Sequence, residues 1–207
     1  MDLRETLRAA VAVPVITADD PARTVELCRA LVAGGLTVLE ITLRTSAALD
    51  AVAAVARALP QATVGVGTLL DAGDAARARD AGARFAVSPG FRPALGDACR
   101  VAGLAWLPAA ITPSEVMAAR EGGWRDLKFF PAGAAGGPDA LRHFQPVFPE
   151  IAFCPTGGLT QTSAPAYLAC ANVVAVGGTW MMPKEAVAAR DWAAIERAAR
   201  AAHALRG

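Results

Sequence analysis

The chain alternates between two hydrophobic patterns along its length. Short runs of β-branched and other apolar residues occupy positions 13–16, 37–42, 63–66, 84–88, 104–107, 126–130, 151–154 and 172–176. Between them lie Ala-, Arg- and Leu-rich stretches with helical spacing, at about 5–10, 21–33, 46–58, 71–81, 93–102, 113–121, 138–144, 162–169 and 191–205. Short apolar runs that alternate with helices predict parallel strands joined by crossover helices.

Eight such units are compatible with two α/β folds, a (β/α)8 TIM barrel and a doubly wound sheet. The number of units favours the barrel, although 207 residues is near the lower end of its size range. No G-x-G-x-x-G motif follows the first apolar run, which weakens the dinucleotide-binding alternative. Because no linker or composition break divides the chain, we predict a single (β/α)8 barrel domain over 1–207 with an extra N-terminal helix.

Composition and charge exclude several classes of partner. Hydrophobic residues make up 54% of the chain and charged residues 19%, which predicts a folded protein with a sizeable core. A net charge of +1 without a basic cluster argues against nucleic acid. No apolar run is long enough to span a membrane, and the first residues do not resemble a signal peptide.

Cysteine and histidine usage predicts reduced thiols and no protein-built metal site. The four cysteines show no C-x-x-C spacing, which is typical of buried, reduced thiols in a cytoplasmic protein. The two histidines, His143 and His203, have no cysteine or carboxylate at ligand spacing. We therefore expect no metal and no cofactor.

The sixth apolar run contains a lysine, Lys128, one of two lysines in the chain. Its neighbours Leu127, Phe129 and Phe130 predict a desolvated ammonium group. Desolvation disfavours the charged form and leaves a fraction of free amine that can attack a carbonyl group. The alternative is a lysine at a strand end that extends its charge to solvent.

A carboxylate and a guanidinium interrupt the second run in a similar way. Glu40 lies between Leu39 and Ile41, and burial there suits a group that transfers protons near neutral pH. The alternative is a structural ion pair with a core cation such as Lys128. Arg44 follows at the carboxyl end of the run, where its guanidinium can hold a carboxylate in two contacts, although a surface ion pair is equally compatible.

Glycines, prolines and hydroxyl groups follow other predicted strands. Thr68 follows a Gly-Val-Gly segment, and Pro89 lies in a Ser-Pro-Gly turn that is also compatible with a purely structural role. Paired glycines follow the seventh and eighth runs, and Thr179 follows the second pair. Backbone N–H groups at these two positions of a barrel commonly bind phosphate.

These segments together resemble the family of 2-dehydro-3-deoxy-6-phosphogluconate (KDPG) aldolase and 4-hydroxy-2-oxoglutarate (KHG) aldolase. The resemblance extends from about residue 13 to 197 and rests on five motifs in order: LEITLRT at 39–45, VGVGT at 64–68, AVSPG at 86–90, LKFFPA at 127–132 and FCPTGG at 153–158. It implies a cytoplasmic class I aldolase, a lyase that cleaves KDPG to pyruvate and glyceraldehyde 3-phosphate without a cofactor. It also implies a (β/α)8 barrel that assembles as a homotrimer.

The resemblance also implies a role for each matching residue. Lys128 would form the Schiff base and Glu40 would move protons. The substrate-binding residues would be Arg44 and Thr68 at the pyruvate carboxylate, Pro89 and Phe130 along the pocket, and Thr156, Gly157, Gly158, Gly178 and Thr179 near the phosphate.

Two departures from the family pattern affect the expected tail pocket. Thr179 replaces the usual serine, and Ala109 stands where the family commonly has glycine.

The alternatives to KDPG cleavage with the same chemistry are KHG aldolase activity and 2-dehydro-3-deoxy-6-phosphogalactonate aldolase activity. Two further alternatives are a phosphosugar isomerase on the same barrel and a phosphate-binding barrel without catalysis.

Overall fold

The computed structural model describes residues 1–206, and this part of the chain contains eight β-strands, ten α-helices and a final 3-10 turn. The strands are β1 Ala12–Thr17, β2 Val38–Thr42, β3 Thr63–Gly67, β4 Phe85–Ser88, β5 Ala105–Pro108, β6 Asp126–Phe129, β7 Ala152–Pro155 and β8 Val176–Gly178. The helices are α1 Leu3–Ala10, α2 Pro21–Ala33, α3 Ala48–Ala58, α4 Gly73–Asp80, α5 Pro93–Ala102, α6 Pro113–Glu121, α7 Gly137–Phe144, α8 Ala164–Leu168, α9 Lys184–Ala189 and α10 Trp192–His203.

The strands are parallel and lie in two hydrogen-bonded groups. Six form one sheet in the order β5-β4-β3-β2-β1-β8, and β6 pairs with β7. Single parallel bridges join Ala109 to Lys128 and Thr156 to Gly177, which links the pair to β5 and to β8. Neighbouring strands follow chain order, unlike the reversed order of a doubly wound sheet. The prediction of a parallel α/β fold is confirmed.

Two elements near the carboxyl end of the chain differ from the prediction. The run at 172–176 contributes only its last residue to β8, because its first part forms a turn. Val173 donates its backbone N–H to Cys170, and the Asn172 side chain donates to the Leu141 carbonyl of α7 at 2.8 Å. Helix α9 was not predicted; it has six residues and no buried side chain, so it carries no apolar periodicity.

Successive strand residues face opposite layers, which places polar side chains inside the curved sheet. In β2, Val38 packs in an inner cluster whereas Leu39 and Ile41 pack in the outer cluster against the helices. In β6, Leu127 and Phe129 likewise belong to the outer cluster. Glu40 and Lys128 occupy the intervening positions, so the two-residue period of a strand directs both side chains inward.

Helix α1 covers the inner cluster from the amino ends of the strands. Its buried residues Leu3, Leu7 and Ala10 belong to that cluster. Arg4 donates from Nε to Oδ1 of Asp126 at 2.6 Å and from Nη2 to the carbonyls of Arg125 and Glu150 at 3.0 Å. These contacts hold the amino ends of β6 and β7 at the face opposite the polar residues.

Candidate active site

The inward-facing residues Lys128 and Glu40 form a buried ion pair. Lys128 Nζ lies 3.1 Å from Oε1 and 3.4 Å from Oε2 of Glu40, and the side chains are 8% and 5% exposed. The pair joins β6 to β2, 88 positions apart in sequence. A carboxylate in contact with an amine can accept its proton and free the lone pair for attack on a carbonyl carbon.

An aromatic ring and a buried thiol lie beside Lys128. Lys128 Nζ lies 5.3 Å from the ring centroid of Phe130, the residue that follows β6. Cys154 is opposite Lys128 in the β6–β7 ladder and is buried. Burial raises the pKa of the Cys154 thiol to about 12, which the positive charge of Lys128 partly opposes, so this neighbour is protonated at neutral pH.

The predicted carboxylate-binding residues lie together at the carboxyl ends of β2 and β3. Arg44 is exposed, and its Nε donates to Oγ1 of Thr68 at 3.3 Å. Thr68 has a φ of 59°, a left-handed conformation that is uncommon for a β-branched residue. Strained backbone of this kind concentrates at functional sites. It directs a hydroxyl group towards Arg44 directly after the glycine that ends β3.

Pro89 lies at the carboxyl end of β4 and is exposed. The turn around it is fixed by Ser88, whose Oγ donates to the Gly90 carbonyl at 2.7 Å and accepts from Nε1 of Trp106 at 3.1 Å. Phe130 begins the loop after β6 and is partly buried. Both residues therefore lie at strand carboxyl ends.

The two glycine pairs follow β7 and end β8. Gly157 and Gly158 have φ angles of 97° and 80°, which side chains rarely adopt, so glycine is required for this turn. Thr156 is buried and bridges to Gly177, which brings the two loops side by side. The backbone N–H groups of the two glycine pairs thus lie close together at the carboxyl ends of β7 and β8.

Thr179 is exposed and borders a cavity of about 410 Å³ between β1, α2 and α9. Arg23 and Lys184 also line this cavity. The sequence pattern did not single them out as site residues, because Arg23 lies in α2 after β1 and Lys184 lies in α9, a helix that the pattern did not predict. Arg23 Nη2 contacts both carboxylate oxygens of Asp19 at 2.8 and 2.7 Å, so its charge is already balanced.

Two kinds of feature are absent from residues 1–206. No group of three or more His, Cys, Asp or Glu side chains is placed to hold a metal ion. None of the helices in these residues is long and apolar enough to cross a bilayer.

A buried lysine–glutamate pair inside a parallel sheet, with an arginine and glycine loops at the carboxyl ends of its strands, is typical of an aldolase. The chain belongs to the KDPG and KHG aldolase family, whose model matches residues 3–198. The family and the lyase class predicted from the sequence are thereby confirmed.

Named relatives and solved structures align with nearly the whole chain. The 2-dehydro-3-deoxy-phosphogluconate aldolase of Pseudoalteromonas atlantica is 45% identical over 190 residues, 92% of this chain and 88% of the relative. The KDPG aldolase of Legionella pneumophila, solved with pyruvate captured as a covalent carbinolamine intermediate, is 37% identical with a TM-score of 0.92, covering 96% of each chain. The Zymomonas mobilis enzyme, solved with 3-phosphoglycerate, is 40% identical with a TM-score of 0.93, covering 99% of this chain and 96% of that one.

Proposed function

We propose that this protein cleaves KDPG to pyruvate and glyceraldehyde 3-phosphate through a Schiff base on Lys128. The observation that carries the proposal is the buried contact of 3.1 Å between Lys128 Nζ and Glu40. The pyruvate carbinolamine of the Legionella relative and its similarity to this chain support the same covalent chemistry here.

The reaction begins when Glu40 accepts a proton from the Lys128 ammonium. The free amine adds to the C2 carbonyl, and Glu40 returns the proton as the hydroxyl of the carbinolamine leaves as water. The resulting iminium accepts the electron pair of the C3–C4 bond while the C4 hydroxyl proton passes to Glu40. Glyceraldehyde 3-phosphate departs, the enamine is protonated at C3, and hydrolysis releases pyruvate and the free lysine.

The remaining site residues hold the two ends of the substrate in this proposal. Arg44 and Thr68 bind the carboxylate, supported by the hydrogen bond that already aligns them. Pro89 and Phe130 form the walls. The turn of Thr156, Gly157 and Gly158 binds the phosphate together with Gly178 and Thr179, supported by the bridge between Thr156 and Gly177 that places the two loops side by side.

The proposal also includes the closure of the barrel, the oligomeric state and the absence of a cofactor. We propose that the eight strands close into a single (β/α)8 barrel domain over 1–207, supported by the bridges on both sides of the β6–β7 pair. We also propose a cytoplasmic homotrimer that uses no cofactor, since the iminium itself accepts the electrons.

KHG aldolase activity is the second candidate. The KHG/KDPG aldolase of Escherichia coli is 42% identical over 190 residues, 92% of this chain and 89% of that relative, and its name joins both activities. A carboxylate tail would then occupy the loops that we assign to phosphate. Pyruvate release measured on KDPG, its galactonate epimer and KHG ranks these activities directly.

Trapping of the intermediate tests the covalent step. Borohydride added with pyruvate should inactivate the protein and add a pyruvate-derived mass to the peptide that contains Lys128. Modification of Lys184 alone, or no modification, would exclude the Schiff-base mechanism and favour an isomerase in which Lys128 is only electrostatic.

The Glu40→Gln substitution tests the proton transfer. It keeps the shape of the side chain and removes its basicity, so kcat should fall by roughly 10²–10⁴, the usual contribution of general acid–base catalysis. Turnover near that of the unmodified protein would instead make Glu40 a structural partner of Lys128.

A further inference from the structure

The loops that follow β7 and β8 are connected by a side-chain hydrogen bond. Trp180, two residues after Gly178, donates from Nε1 to Oε1 of Gln161 at 2.9 Å. Gln161 lies three residues after Gly158 in the other loop. The bond therefore joins the two segments to which the proposed function assigns the phosphate.

The indole of Trp180 also fixes the backbone of its own loop. A Cβ placed on Gly178 would overlap the Cζ3 and Cε3 atoms of the Trp180 ring, so the ring lies directly against the Gly178 backbone. Gly178 is buried, and the exposed Thr179 lies between Gly178 and Trp180 in the chain. The position of the ring thus limits where the Gly178 and Thr179 N–H groups can point.

Gln161 is held from two further directions. Its Nε2 donates to the Ala201 carbonyl of α10 at 3.1 Å. Its loop is closed by hydrogen bonds between Thr160 and Ser163, from the Thr160 N–H to Ser163 Oγ at 2.9 Å and from the Ser163 N–H to Thr160 Oγ1 at 3.1 Å. These hydrogen bonds hold the Gln161 side chain in place, so its Oε1 is a well-positioned acceptor for the Trp180 N–H group.

We infer that Trp180 and Gln161 are positioning residues that hold the two glycine loops at the separation needed to bind the substrate's phosphate. The inference rests on the proposed function, because it assigns a task to the same phosphate loops. Loops fixed before binding lose less conformational freedom when the ligand arrives, which strengthens binding without a new contact. Lys128 and Glu40 lie on β6 and β2, so the effect should be confined to the phosphorylated end.

The Trp180→Phe substitution isolates the hydrogen bond, because phenylalanine keeps a ring against Gly178 and lacks the N–H group. We expect it to raise the KM for KDPG about threefold and leave kcat nearly constant, the size expected for an exposed hydrogen bond. Trp180→Ala also removes the ring and should raise the KM by roughly tenfold or more. Both substitutions should change kcat/KM for the unphosphorylated analogue of KDPG by less than about twofold.

A double substitution tests whether the two residues act together. Gln161→Met removes the same bond from the other side, so the effect of Trp180→Phe on KM should largely disappear when Gln161 is already methionine. Trp192→Phe is the matched control for the aromatic change, since Trp192 lines a surface cleft between α2 and α10. Gln61→Met, at an exposed position before β3, is the control for the amide.

The outcomes separate this inference from the proposed function. If the unmodified protein uses KDPG and its unphosphorylated analogue equally well, the phosphate site itself is absent and the proposed function fails. If the unmodified protein prefers KDPG and Trp180→Phe and Trp180→Ala retain the full preference, the loops do not need the connection and only the inference is overturned. Equal losses on both substrates would indicate a general structural role and would also overturn it.

Discussion

The carboxylate of Glu40 occupies the space where a side chain on Gly67 would begin. A Cβ built on Gly67 would overlap Oε1 of Glu40 and lie 2.8 Å from its Cδ and Cγ atoms. Gly67 ends β3, and its register partner Thr42 lies two residues beyond Glu40 on β2. The absence of a side chain on Gly67 therefore permits the carboxylate to turn towards Lys128.

Gly67→Ala should reduce catalysis with little loss of fold. The added methyl group displaces the Glu40 carboxylate, and misplacement of a reacting group by about 1 Å can cost on the order of 10²-fold in rate. Gly90→Ala is the matched control, because a Cβ there meets nothing within 4 Å although Gly90 also follows a strand beside the site. Equal kcat values for the two variants would contradict the steric explanation.

Lys128→Met should cost stability as well as activity. It leaves Glu40 buried without its cation, and removal of one partner of a buried ion pair typically costs about 3–5 kcal/mol. The double substitution Lys128→Met/Glu40→Gln removes both charges and should recover a large part of the free energy of unfolding while activity stays absent. Urea unfolding of the unmodified protein, Lys128→Met and the double variant measures the free energy of unfolding. A double variant as unstable as Lys128→Met would show that the unpaired buried charge is not the cause.

Removal of the phosphate from the substrate should lower kcat/KM at least about a hundredfold, or roughly 2.7 kcal/mol of transition-state binding. Thr179→Val keeps the volume and removes the hydroxyl, so it should reproduce part of this loss on KDPG and have little effect on the unphosphorylated compound. Steady-state pyruvate release measures both. Similar efficiencies on the two compounds would make 4-hydroxy-2-oxoglutarate the better substrate candidate.

Activity should survive exhaustive treatment with EDTA. In the proposed reaction the lysine iminium accepts the electron pair of the C3–C4 bond, whereas in metal-dependent aldolases a bound metal ion stabilises that charge as a Lewis acid, so no divalent ion is needed. The measurement is kcat before and after chelation and after addition of Mg²⁺ or Zn²⁺. Loss on chelation with rescue by one ion would assign the protein to the metal-dependent class.

Alkaline pH should destabilise the fold through its buried thiols. Burial raises the pKa of Cys28 from 9.0 to about 12 and that of Cys99 to about 11. A raised pKa means that the unfolded chain releases these protons first, so the stabilising contribution is complete below pH 9 and is lost as pH rises towards 12. Cys28→Ala, in the outer core, should therefore show a shallower fall in the free energy of unfolding between pH 9 and 11. An unchanged slope would contradict this.

The buried contact between Lys128 and Glu40 was predictable from the sequence because both residues break local rules. Lys128 and Glu40 are charged residues inside apolar strands, and burial of such a charge requires a partner of opposite charge inside the protein. The two glycine loops were visible for the same reason, as paired glycines at strand ends. The two-residue period of the strands then predicts that both charges face the same layer.

The contacts that join distant segments were not predictable in this way. Trp180 and Gln161 are an ordinary tryptophan and an ordinary glutamine in loops, and nothing local marks their hydrogen bond. The fit of Glu40 against Gly67 depends on the register of two strands, which the sequence pattern does not give. The start of the eighth strand was predicted too early for a different reason: the valines of the run at 172–176 favoured a strand, but the turn fixed by Asn172 prevailed locally.

The sparse bonding around β6 has a consequence for local motion. This strand has a full ladder only with β7, whereas its other side is joined to β5 by a single bridge, with the Ala110 N–H donating to the Lys128 carbonyl at 2.9 Å. Local opening costs least where few backbone hydrogen bonds must break. The amides of the segment after β5 should thus exchange with solvent deuterium sooner than those between β2 and β3, and a covalent adduct on Lys128 should slow that exchange.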